Sequence, residues 1–440
     1  MKSSCGDRRV VITGRGLVSP LGNSSAALWD ALVNGRSGVN PIDDFPSGES
    51  DSVTIAALAT QFKGHIDEFG ELETDQKKMI RKGLKLMCRE TMMGVAVAQT
   101  ALQDDSLRTD DLPPERSGCV FGSDYMLTMP EDFIAGITGC ENGEGQFDYR
   151  RWGEEGLQKV TPLWLLKYLP NMPASHIAIY NDLRGPNNSL TLREAASNVA
   201  LGEAAFTIAR GSADVMIAGA TGTRVRPMNA IHAMQQEEIA PASAAAATVS
   251  RPFDRDRTGM VLGEGAGAVV LEELSRAEAR GAPIYGEVLS WASSNVVSPD
   301  GVADRRTAVA NVIKSALRAA EAQPSEIGHV HAHGISTRSG DAEEAQVLAE
   351  LLGIDRVPVT AAKSYFGNLG SGSGMVELIA SLSALEHQQL FPILNYETPD
   401  DDCPVLAATG SNGLSPGSSF LNISYTPQGQ AACVLVRLLG

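Results

Sequence analysis

Three segments of the chain carry residues whose types and spacing could do chemistry. The first is Ser189–Gly202, SLTLREAASNVALG, where a β-rich run enters a turn and small residues open a helix. Such an elbow presents Glu194 at a helix N-terminus, where backbone N–H groups and the helix dipole favour negative charge. Glu194 is therefore either a functional carboxylate or an ordinary first-turn acid.

The second segment contains His329, His331 and His333, followed by Gly334. In a strand, alternation places all three imidazoles on one face. Metal binding is one interpretation, although no fourth ligand is evident. A catalytic His333 at the strand end is the second, and packed, hydrogen-bonded imidazoles are the third.

The third segment is Lys363–Gly374, KSYFGNLGSGSG, whose closing glycines could suggest a phosphate loop. It lacks the GxxxxGK[ST] order that a phosphate loop requires. Gly263–Gly267, GEGAG, precedes a strand rather than following one, which contradicts the dinucleotide fingerprint. Nucleotide binding is therefore not predicted.

A basic cluster also stands out in a chain of net charge −17. Its members recur at helical spacing, and they are Lys77, Lys78, Arg81, Lys82, Lys85 and Arg89. The cluster is either a solvated helix face or a docking patch for an acidic partner.

The elements that must position these residues alternate along the chain. Short apolar or β-branched runs predict strands at 10–13, 117–122, 214–219, 267–272, 328–333, 357–361 and 433–438. Helical spacing predicts helices at 26–33, 84–102, 307–322, 342–352 and 374–385. This alternation predicts an α/β fold with mainly parallel, doubly covered sheets.

The domain organisation follows from the same alternation. We expect two similar α/β halves, residues 1–250 and 251–440, fused in one body. The polar stretch near 124–161 predicts an insertion or cap on the first half, and 242–249 predicts a surface loop.

Composition narrows the class of protein. With 440 residues, 43% hydrophobic and 20% charged, the chain can bury a sizeable core. The acidic balance argues against a general role on nucleic acid or anionic membranes. Six widely spaced cysteines without a CxxC pair favour a reducing compartment. No leading apolar core and no apolar run of about 18 residues are present, so a cytoplasmic protein without a membrane span is expected.

Several segments together resemble the β-ketoacyl-acyl carrier protein synthases, the elongating enzymes of fatty acid and polyketide synthesis. The resemblance runs from about Arg9 to Arg437. It rests on RRVVITGRGLVSPLG near the start and on Arg251–Glu273, His329–Gln346, Ala361–Leu385 and Pro392–Cys403. It implies a thiolase-like fold, a duplicated α/β unit in five layers (α-β-α-β-α), and it calls for no cofactor or metal. It also implies a dimer through a central strand, here Gly185–Leu192.

The resemblance implies a catalytic set from which this chain departs. In the family, a cysteine at the helix N-terminus carries the acyl thioester, and two histidines assist decarboxylation of a malonyl unit. Counted on the motifs, the cysteine position falls on Glu194, the first histidine is kept as His333, and the second is Asn368. Lys363 is kept, and Glu344 sits where the family has its structural glutamate.

Other positions carry over from the family in the same way. Ile335 replaces the threonine after the first histidine, and the glycine-phenylalanine-glycine gate after Asn422 is replaced by ISYTPQG. The residues that the family places on the substrate path are Tyr125, Met126, Ile335 and Thr337. Acyl carrier protein docking would fall on Lys77, Lys78, Arg81, Lys82 and Lys85.

Three hypotheses follow from the missing cysteine. In the first hypothesis, the chain is a non-condensing partner subunit like a chain-length factor. It then forms a homodimer or pairs with a cysteine-containing ketosynthase. In the second hypothesis, the chain is an enzyme of altered chemistry. It is either a malonyl-carrier decarboxylase that uses His333 and Asn368 or an enzyme with Glu194 as general base. The third is a scaffold that binds an acyl carrier protein. An ionised Glu194 would repel a malonyl carboxylate, with partial screening expected from Lys363 and His333.

Overall fold

A computed structural model describes residues 8–42 and 53–439 of the chain. Its strands are β1 (Val10–Val18), β2 (Asn40–Pro41), β3 (Ile55–Ala57), β4 (Ser117–Ser123), β5 (Asn187–Leu190), β6 (Val215–Thr223), β7 (Leu262–Glu273), β8 (Gly286–Asn295), β9 (His329–His331), β10 (Pro358–Thr360), β11 (Leu406–Ala407), β12 (Ser419–Tyr425) and β13 (Gln430–Arg437).

The α-helices of the same described residues lie between these strands. They are α1 (Ser25–Val33), α2 (Thr74–Gly83), α3 (Arg89–Asp104), α4 (Ile134–Gly139), α5 (Trp164–Lys167), α6 (Met172–Tyr180), α7 (Ala196–Ala209), α8 (Pro227–Gln236), α9 (Ala246–Val249), α10 (Leu274–Arg280), α11 (Arg305–Ala319), α12 (Arg338–Leu352), α13 (Lys363–Phe366) and α14 (Ser373–Glu386). Short 3-10 turns connect several of them.

The strand directions show the duplication that the alternation predicts. In the N-terminal sheet, β5, β4 and β6 are parallel, and then β7 and β1 follow as antiparallel neighbours. In the C-terminal sheet, β11, β10, β9 and β12 are parallel, and then β13 and β8 follow as antiparallel neighbours. A short antiparallel pairing of β1 with β8 joins the two sheets. The repeat therefore divides between β7 and β8, further along the chain than the expected junction near residue 250.

Helices cover both faces of each sheet and give five layers. α7 packs on β4 and β6 of one sheet and on β8 and β13 of the other, and α14 lies beside it. These two helices form the central layer, with α3 and α6 outside the first sheet and α11 and α12 outside the second. α7 and α14 are buried on nearly all sides because their sequences are small and apolar around the whole helix. The expected α-β-α-β-α architecture is confirmed.

Several element boundaries differ from the expected ones. β1 continues through two glycines to Val18, with an irregular register between Ile12 and Gly14. The helix expected at 84–102 begins at Arg89, after a 3-10 turn over Leu84–Leu86. The segment expected as a loop at 242–249 contains the short helix α9. Chain pairing and packing, which act beyond the local pattern, move these boundaries.

The fold brings four chemical side chains to one region. Glu194 follows β5, Arg224 follows β6, His333 follows β9 and Lys363 follows β10. All four strands belong to the parallel parts of the two sheets. The carboxyl ends of parallel strands are where α/β folds assemble their sites.

Candidate functional site

Glu194 lies at the predicted elbow between β5 and α7. The chain turns through a single 3-10 turn, Arg193–Ala195, before α7 begins at Ala196. Arg193 takes a left-handed backbone conformation with φ of 51°. A residue with a side chain rarely adopts this conformation, and it persists where the surrounding structure holds it. The elbow turns the carboxylate of Glu194 into the interior, where the residue is only 1% exposed.

The partners of Glu194 differ from those expected from the sequence. Its Oε1 accepts hydrogen bonds from the Arg224 guanidinium and, at 3.0 Å, from Nδ2 of Asn368. Arg193 Nε lies 3.5 Å from Oε2. Screening by Lys363 and His333 was expected, but the charges that meet the carboxylate directly belong to Arg224 and Arg193. Arg193 is the residue before Glu194 in the chain, and Arg224 follows β6, which is separated from β5 by β4 alone.

One further side chain, Glu237, completes a buried charge network, which we call the acid–arginine cluster: Arg193, Glu194, Arg224 and Glu237. Arg224 Nη1 donates to Glu237 Oε1 at 2.8 Å, and Arg193 also donates to that oxygen. Two guanidinium groups therefore face two carboxylates, and the formal charges cancel. Neither Arg224 nor Glu237 was expected from the sequence. The only local signal is a charged residue directly after the fully buried strand β6.

The cluster keeps Glu194 ionised. Burial acts to raise the pKa of Glu194, but the charges of Arg224 and Arg193, with hydrogen bonds from the backbone and Asn368, outweigh it and lower the pKa to about 2. At neutral pH the side chain is a carboxylate. Its Oε1 is already engaged by two donors.

Both polar atoms of the Asn368 side chain are also engaged in hydrogen bonds. Its Nδ2 donates to Glu194, and its Oδ1 accepts from the backbone N–H of Gly370 at 2.9 Å and from Ser373 Oγ at 3.2 Å. The backbone of Asn368 pairs with Val261 and Gly263 beside β7. The expected position near Glu194 is thus found, and the amide holds the carboxylate instead of facing an open cavity.

His333 and Lys363 form the second half of the site. Lys363 Nζ lies 3.3 Å from Nδ1 of His333 and donates to the His333 carbonyl oxygen at 2.8 Å. An ammonium can only donate, so Nδ1 accepts and the ring proton resides on Nε2. Burial, followed by the positive charges of Lys363 and Arg224, lowers the pKa of His333 well below its ordinary value. His333 is therefore a neutral imidazole.

Glu344 holds the loop after β9 and does not pair with Lys363. It accepts from the backbone N–H groups of His333 at 2.7 Å and Gly334 at 2.9 Å. The carboxylate that pairs with Lys363 is Glu377 on α14. Glu344 reaches this loop from the second turn of α12, the helix that follows the loop.

Ile335 and Thr337, which the resemblance placed on the substrate path, lie in the loop between β9 and α12. Asp341 anchors this loop further, because it accepts from Ile335 N at 3.0 Å and Ser336 N at 3.1 Å. Ile335 packs in an apolar cluster, and Thr337 precedes the first residue of α12. Two carboxylates thus fix the loop that follows β9, and Asp341 was missed in the sequence.

The other two substrate-path residues begin the cap. The Tyr125 hydroxyl hydrogen-bonds to Nδ1 of His232 on α8. The sulfur of Met126 lies 3.5 Å from Cys88 Sγ, and both side chains are buried. Neither residue hydrogen-bonds to Glu194, although Arg224 and Arg193 act electrostatically on Tyr125.

The segment ISYTPQG after Asn422, where the resemblance implied a glycine-rich gate, contains the tight hairpin between β12 and β13. Thr426 N donates to the Gln430 carbonyl oxygen at 2.8 Å. Tyr425, at the end of β12, is buried with its ring centroid 4.2 Å from that of His333. An aromatic side chain therefore covers the imidazole of His333.

The remaining histidines of the HVHAH run are structural in this fold. Ser381 Oγ lies 3.0 Å from His329 Nε2 and 2.8 Å from His331 Nδ1. The other nitrogens meet the Pro416 carbonyl oxygen at 2.8 Å and the Ala362 N–H at 3.2 Å. Over residues 8–42 and 53–439, no group of three ligating side chains could hold a metal ion.

The basic cluster lies on α2 and the turn after it. Lys77 pairs with Asp67, and Lys78 lies 3.0 Å from Asp75. The exposed members that make no ion pair with any described residue are Arg81, Lys82 and Lys85. Arg89 turns inward and pairs with Glu264, so it is not part of this surface.

Comparisons with known proteins agree with the fold and the motifs. Family models described as "Beta-ketoacyl synthase, N-terminal domain" and "Beta-ketoacyl synthase, C-terminal domain" match residues 7–277 and 285–397. A 3-oxoacyl-[acyl-carrier-protein] synthase 2 from a Synechocystis strain is 31% identical over 402 residues, which are 90% of each chain.

Two solved structures are similar over nearly the whole chain. A β-ketoacyl synthase from Burkholderia phymatum aligns with a TM-score of 0.85 and 26% identity, covering 98% of this chain and 100% of that one. The ishigamide ketosynthase/chain length factor aligns with a TM-score of 0.80 and 27% identity, covering 99% and 100%. In the part of the chain that the structure describes, no helix is long and apolar enough to cross a membrane.

Proposed function

The chain belongs to the β-ketoacyl synthase family, and we propose that it acts in fatty acid or polyketide synthesis as a non-condensing partner subunit, similar to a chain-length factor. One observation carries the proposal. Glu194, on which the family nucleophile falls when it is counted on the motifs, is a buried, ionised carboxylate held by Arg224 and Asn368.

Condensation by the family route needs a free nucleophile that can carry an acyl group as a thioester. A carboxylate would form an acyl anhydride instead, which water attacks readily. In this chain the carboxylate oxygen nearest to Asn368 already accepts two hydrogen bonds. Glu194 therefore cannot carry an acyl group as a thioester, and its Oε1 is already engaged by hydrogen bonds from Arg224 and Asn368.

General-base chemistry by Glu194 is disfavoured for a separate reason. A general base is most effective when its pKa lies near the working pH. A pKa of about 2 makes Glu194 a poor proton acceptor at neutral pH. The acid–arginine cluster favours a structural role for this carboxylate.

Decarboxylation of a malonyl group is the second candidate, and the Lys363–His333 pair is the observation that favours it. Nε2–H of His333 could donate to an enolate oxygen. Three observations weigh against it. Asn368 is committed to Glu194, both histidine and lysine are almost completely buried, and a malonyl carboxylate would meet the charge of Glu194.

The deciding experiment follows malonyl-loaded acyl carrier protein by intact-mass spectrometry after incubation with the chain. We expect neither acetyl-carrier protein nor an acyl adduct on the chain, with the wild type or with Glu194→Ala. His333→Ala serves as the catalytic variant and His65→Ala, at an exposed position, as its matched control. Acetyl-carrier protein that forms with wild type and His65→Ala but not with His333→Ala would replace the partner-subunit proposal with a decarboxylase.

A partner subunit needs a surface for its partner, and the free edge of the N-terminal sheet is the candidate. β5 is an edge strand that pairs only with β4 among the described residues. Exposed apolar side chains also lie on the cap and on α6, and they are Ile134, Ile137, Leu163, Leu165 and Ile179. Edge strands and apolar patches of this kind are usually covered in an assembly.

We propose that a cysteine-containing ketosynthase covers this surface, and that a second copy of the chain is the alternative. The similar ishigamide protein is a ketosynthase/chain length factor, and its name joins the two kinds of subunit that this proposal pairs. Ile179→Asp should abolish co-purification with a co-expressed ketosynthase. Ile354→Asp, at an equally exposed isoleucine on another face, should not. A stable homodimer that never exchanges with the ketosynthase would refute the heterodimer.

The exposed cations of α2 fit the proposal that the complex receives acyl carrier protein. Arg81, Lys82 and Lys85 point to solvent and lack partners among the described residues. Because the carrier protein is acidic in this family, the patch would guide its approach by electrostatic attraction. The contribution of the patch should therefore fall as salt rises.

A further inference from the structure

A cleft separate from the acid–arginine cluster lies beside the first residues of α8. Its volume is about 500 Å³, within the range of roughly 300–1,000 Å³ found for small-molecule sites. Its walls come from residues 58–63, the start of α3, the cap at 129–131 and the segment 225–227. No member of the acid–arginine cluster lines it. We call it the Arg226 cleft.

The floor of the cleft is a neutral, rigid ion pair. Arg89 binds Glu264 through two hydrogen bonds of 2.7 and 2.6 Å. The same guanidinium donates to the carbonyl oxygens of Phe62 at 3.1 Å and Ala59 at 3.0 Å. With its donors engaged and its charge cancelled, Arg89 shapes the floor but does not attract a ligand by charge.

Arg226 supplies the uncompensated charge of the cleft. It is half-buried, and its guanidinium makes no hydrogen bond or ion pair with any residue in 8–42 or 53–439. At the rim, the exposed Lys63 and Glu131 carry opposite charges that cancel. The buried carboxyl of Glu90 is influenced by the charge of Arg226 but forms no hydrogen bond with it, and burial raises the pKa of Glu90.

The rest of the lining is mostly apolar. The side chains that supply it are Ile42, Leu58, Phe62, Met129, Val225 and Pro227. A half-buried guanidinium without a partner carries a desolvation cost that an anion would offset through charge-assisted hydrogen bonds. An apolar wall beside it would bury a hydrocarbon chain or ring.

We propose that the Arg226 cleft binds an amphipathic anion, a small molecule with an apolar body and one carboxylate or phosphate head that pairs with Arg226. This site is independent of the chemistry at Glu194. It would take a different ligand from the acyl carrier protein, which is a macromolecule.

Titration calorimetry of the full chain with defined probes tests the proposal. Octanoate and octyl phosphate carry the two head groups, and 1-octanol is the uncharged control. We expect saturable binding of at least one anionic probe and at least tenfold weaker binding of 1-octanol. The preferred anion distinguishes a carboxylate ligand from a phosphate ligand.

Two variants assign the binding to this cleft. Arg226→Gln should weaken the preferred anion at least tenfold, while Arg318→Gln, at an exposed arginine on α11, should leave it unchanged. Met129→Trp should weaken binding by filling the apolar wall, with the charge intact. The proposal is overturned if no anionic probe binds, if 1-octanol binds as well as the anions, or if Arg226→Gln binds them like the wild type.

Discussion

Replacing Glu194 with alanine is the most direct test of the acid–arginine cluster. The substitution removes the carboxylate that two arginines and Asn368 share. It leaves the guanidinium of Arg224 buried with Glu237 as its remaining carboxylate partner. If Glu194 is a structural anion, the folded state must lose stability.

Two estimates give the size of the loss. A pKa of about 2 in place of the ordinary 4.5 corresponds to about 3 kcal/mol in favour of the ionised form, at 1.36 kcal/mol for each pH unit. Removing one partner of a buried ion pair typically costs about 3–5 kcal/mol. Since Glu237 still neutralises part of the charge, we expect Glu194→Ala to lower the free energy of unfolding by about 3 kcal/mol.

Urea unfolding followed by tryptophan fluorescence is the assay. Trp291 lies against Gly202 on α7, so it reports on the helix that begins beside Glu194. The pH dependence has a definite sign. Because the folded pKa is depressed, the contribution of Glu194 is present above about pH 4.5 and is lost as the pH falls towards 2.

Small carboxylates and a double variant separate the ion pair from simple loss of packing. Acetate should restore part of the stability of Glu194→Ala in a saturable way, because it can occupy the vacated place beside Arg224. Sodium chloride at equal ionic strength should not. In Glu194→Met/Arg224→Met the buried charges are removed together, so the loss should be smaller than the sum of the two single losses.

The reasoning fails if Glu194→Ala unfolds at the same urea concentration as the wild type. It also fails if the two single substitutions are additive, since no coupling would then exist between Glu194 and Arg224. Rescue by chloride as strong as by acetate would mean that general screening, not a carboxylate site, explains the effect.

The remaining predictions concern the lysine pair, the His333 loop and the basic helix. Glu377→Gln should lower the free energy of unfolding by about 3 kcal/mol, since it leaves Lys363 charged and buried without a carboxylate. Glu344→Gln should cost about 1–3 kcal/mol above about pH 8, where Glu344 is a carboxylate and each of its two oxygens accepts one loop N–H group, because an amide has only one carbonyl oxygen. Burial raises the pKa of Glu344 to about 8, so its carboxyl lowers stability as pH rises from about 4.5 to 8, and the variant should remove that slope. Lys82→Glu/Lys85→Glu should weaken binding of acyl carrier protein about tenfold at low salt and far less at about 0.5 M salt.

Each of these has a control at a matched position. Glu278→Gln, at an exposed glutamate of α10 that forms no ion pair within residues 8–42 and 53–439, should change stability little. Glu350→Gln, at an exposed glutamate of α12, is the control for Glu344→Gln and should also change stability little. Lys314→Glu/Arg318→Glu, on α11, reverses two charges away from α2. Carrier binding that is equal for both double variants would remove the docking role, and unchanged urea midpoints would remove the two buried anchors.

Much of this architecture was readable from local pattern. Apolar runs closed by glycine located the buried strands, and the small residues of 196–209 indicated a helix that could enter the interior. The family resemblance implied that Glu194, His333, Lys363 and Asn368 share one region, and the first three come soon after a strand. These features depend on backbone periodicity and on near neighbours in the chain, which a sequence displays directly.

The hydrogen-bond and ion-pair partners of these site residues could not be inferred from the local sequence pattern. Neither Glu377, which pairs with Lys363, nor Arg224, which pairs with Glu194, was expected from the sequence. Asn368 meets Glu194 across 174 positions of the chain. The charge state of Glu194 depends on these contacts, because the pKa of a buried carboxyl is set by the few groups within a few ångströms of it.

The sequence by itself determined the α/β class, the elbow at Glu194 and the family resemblance that implied the five layers and a cysteine at that elbow. Only the tertiary structure decided that this carboxylate is ionised and bound by two arginines. The physical reason is that local periodicity selects the elements, whereas electrostatic interactions in a low-dielectric interior depend on distances between residues that are remote in sequence.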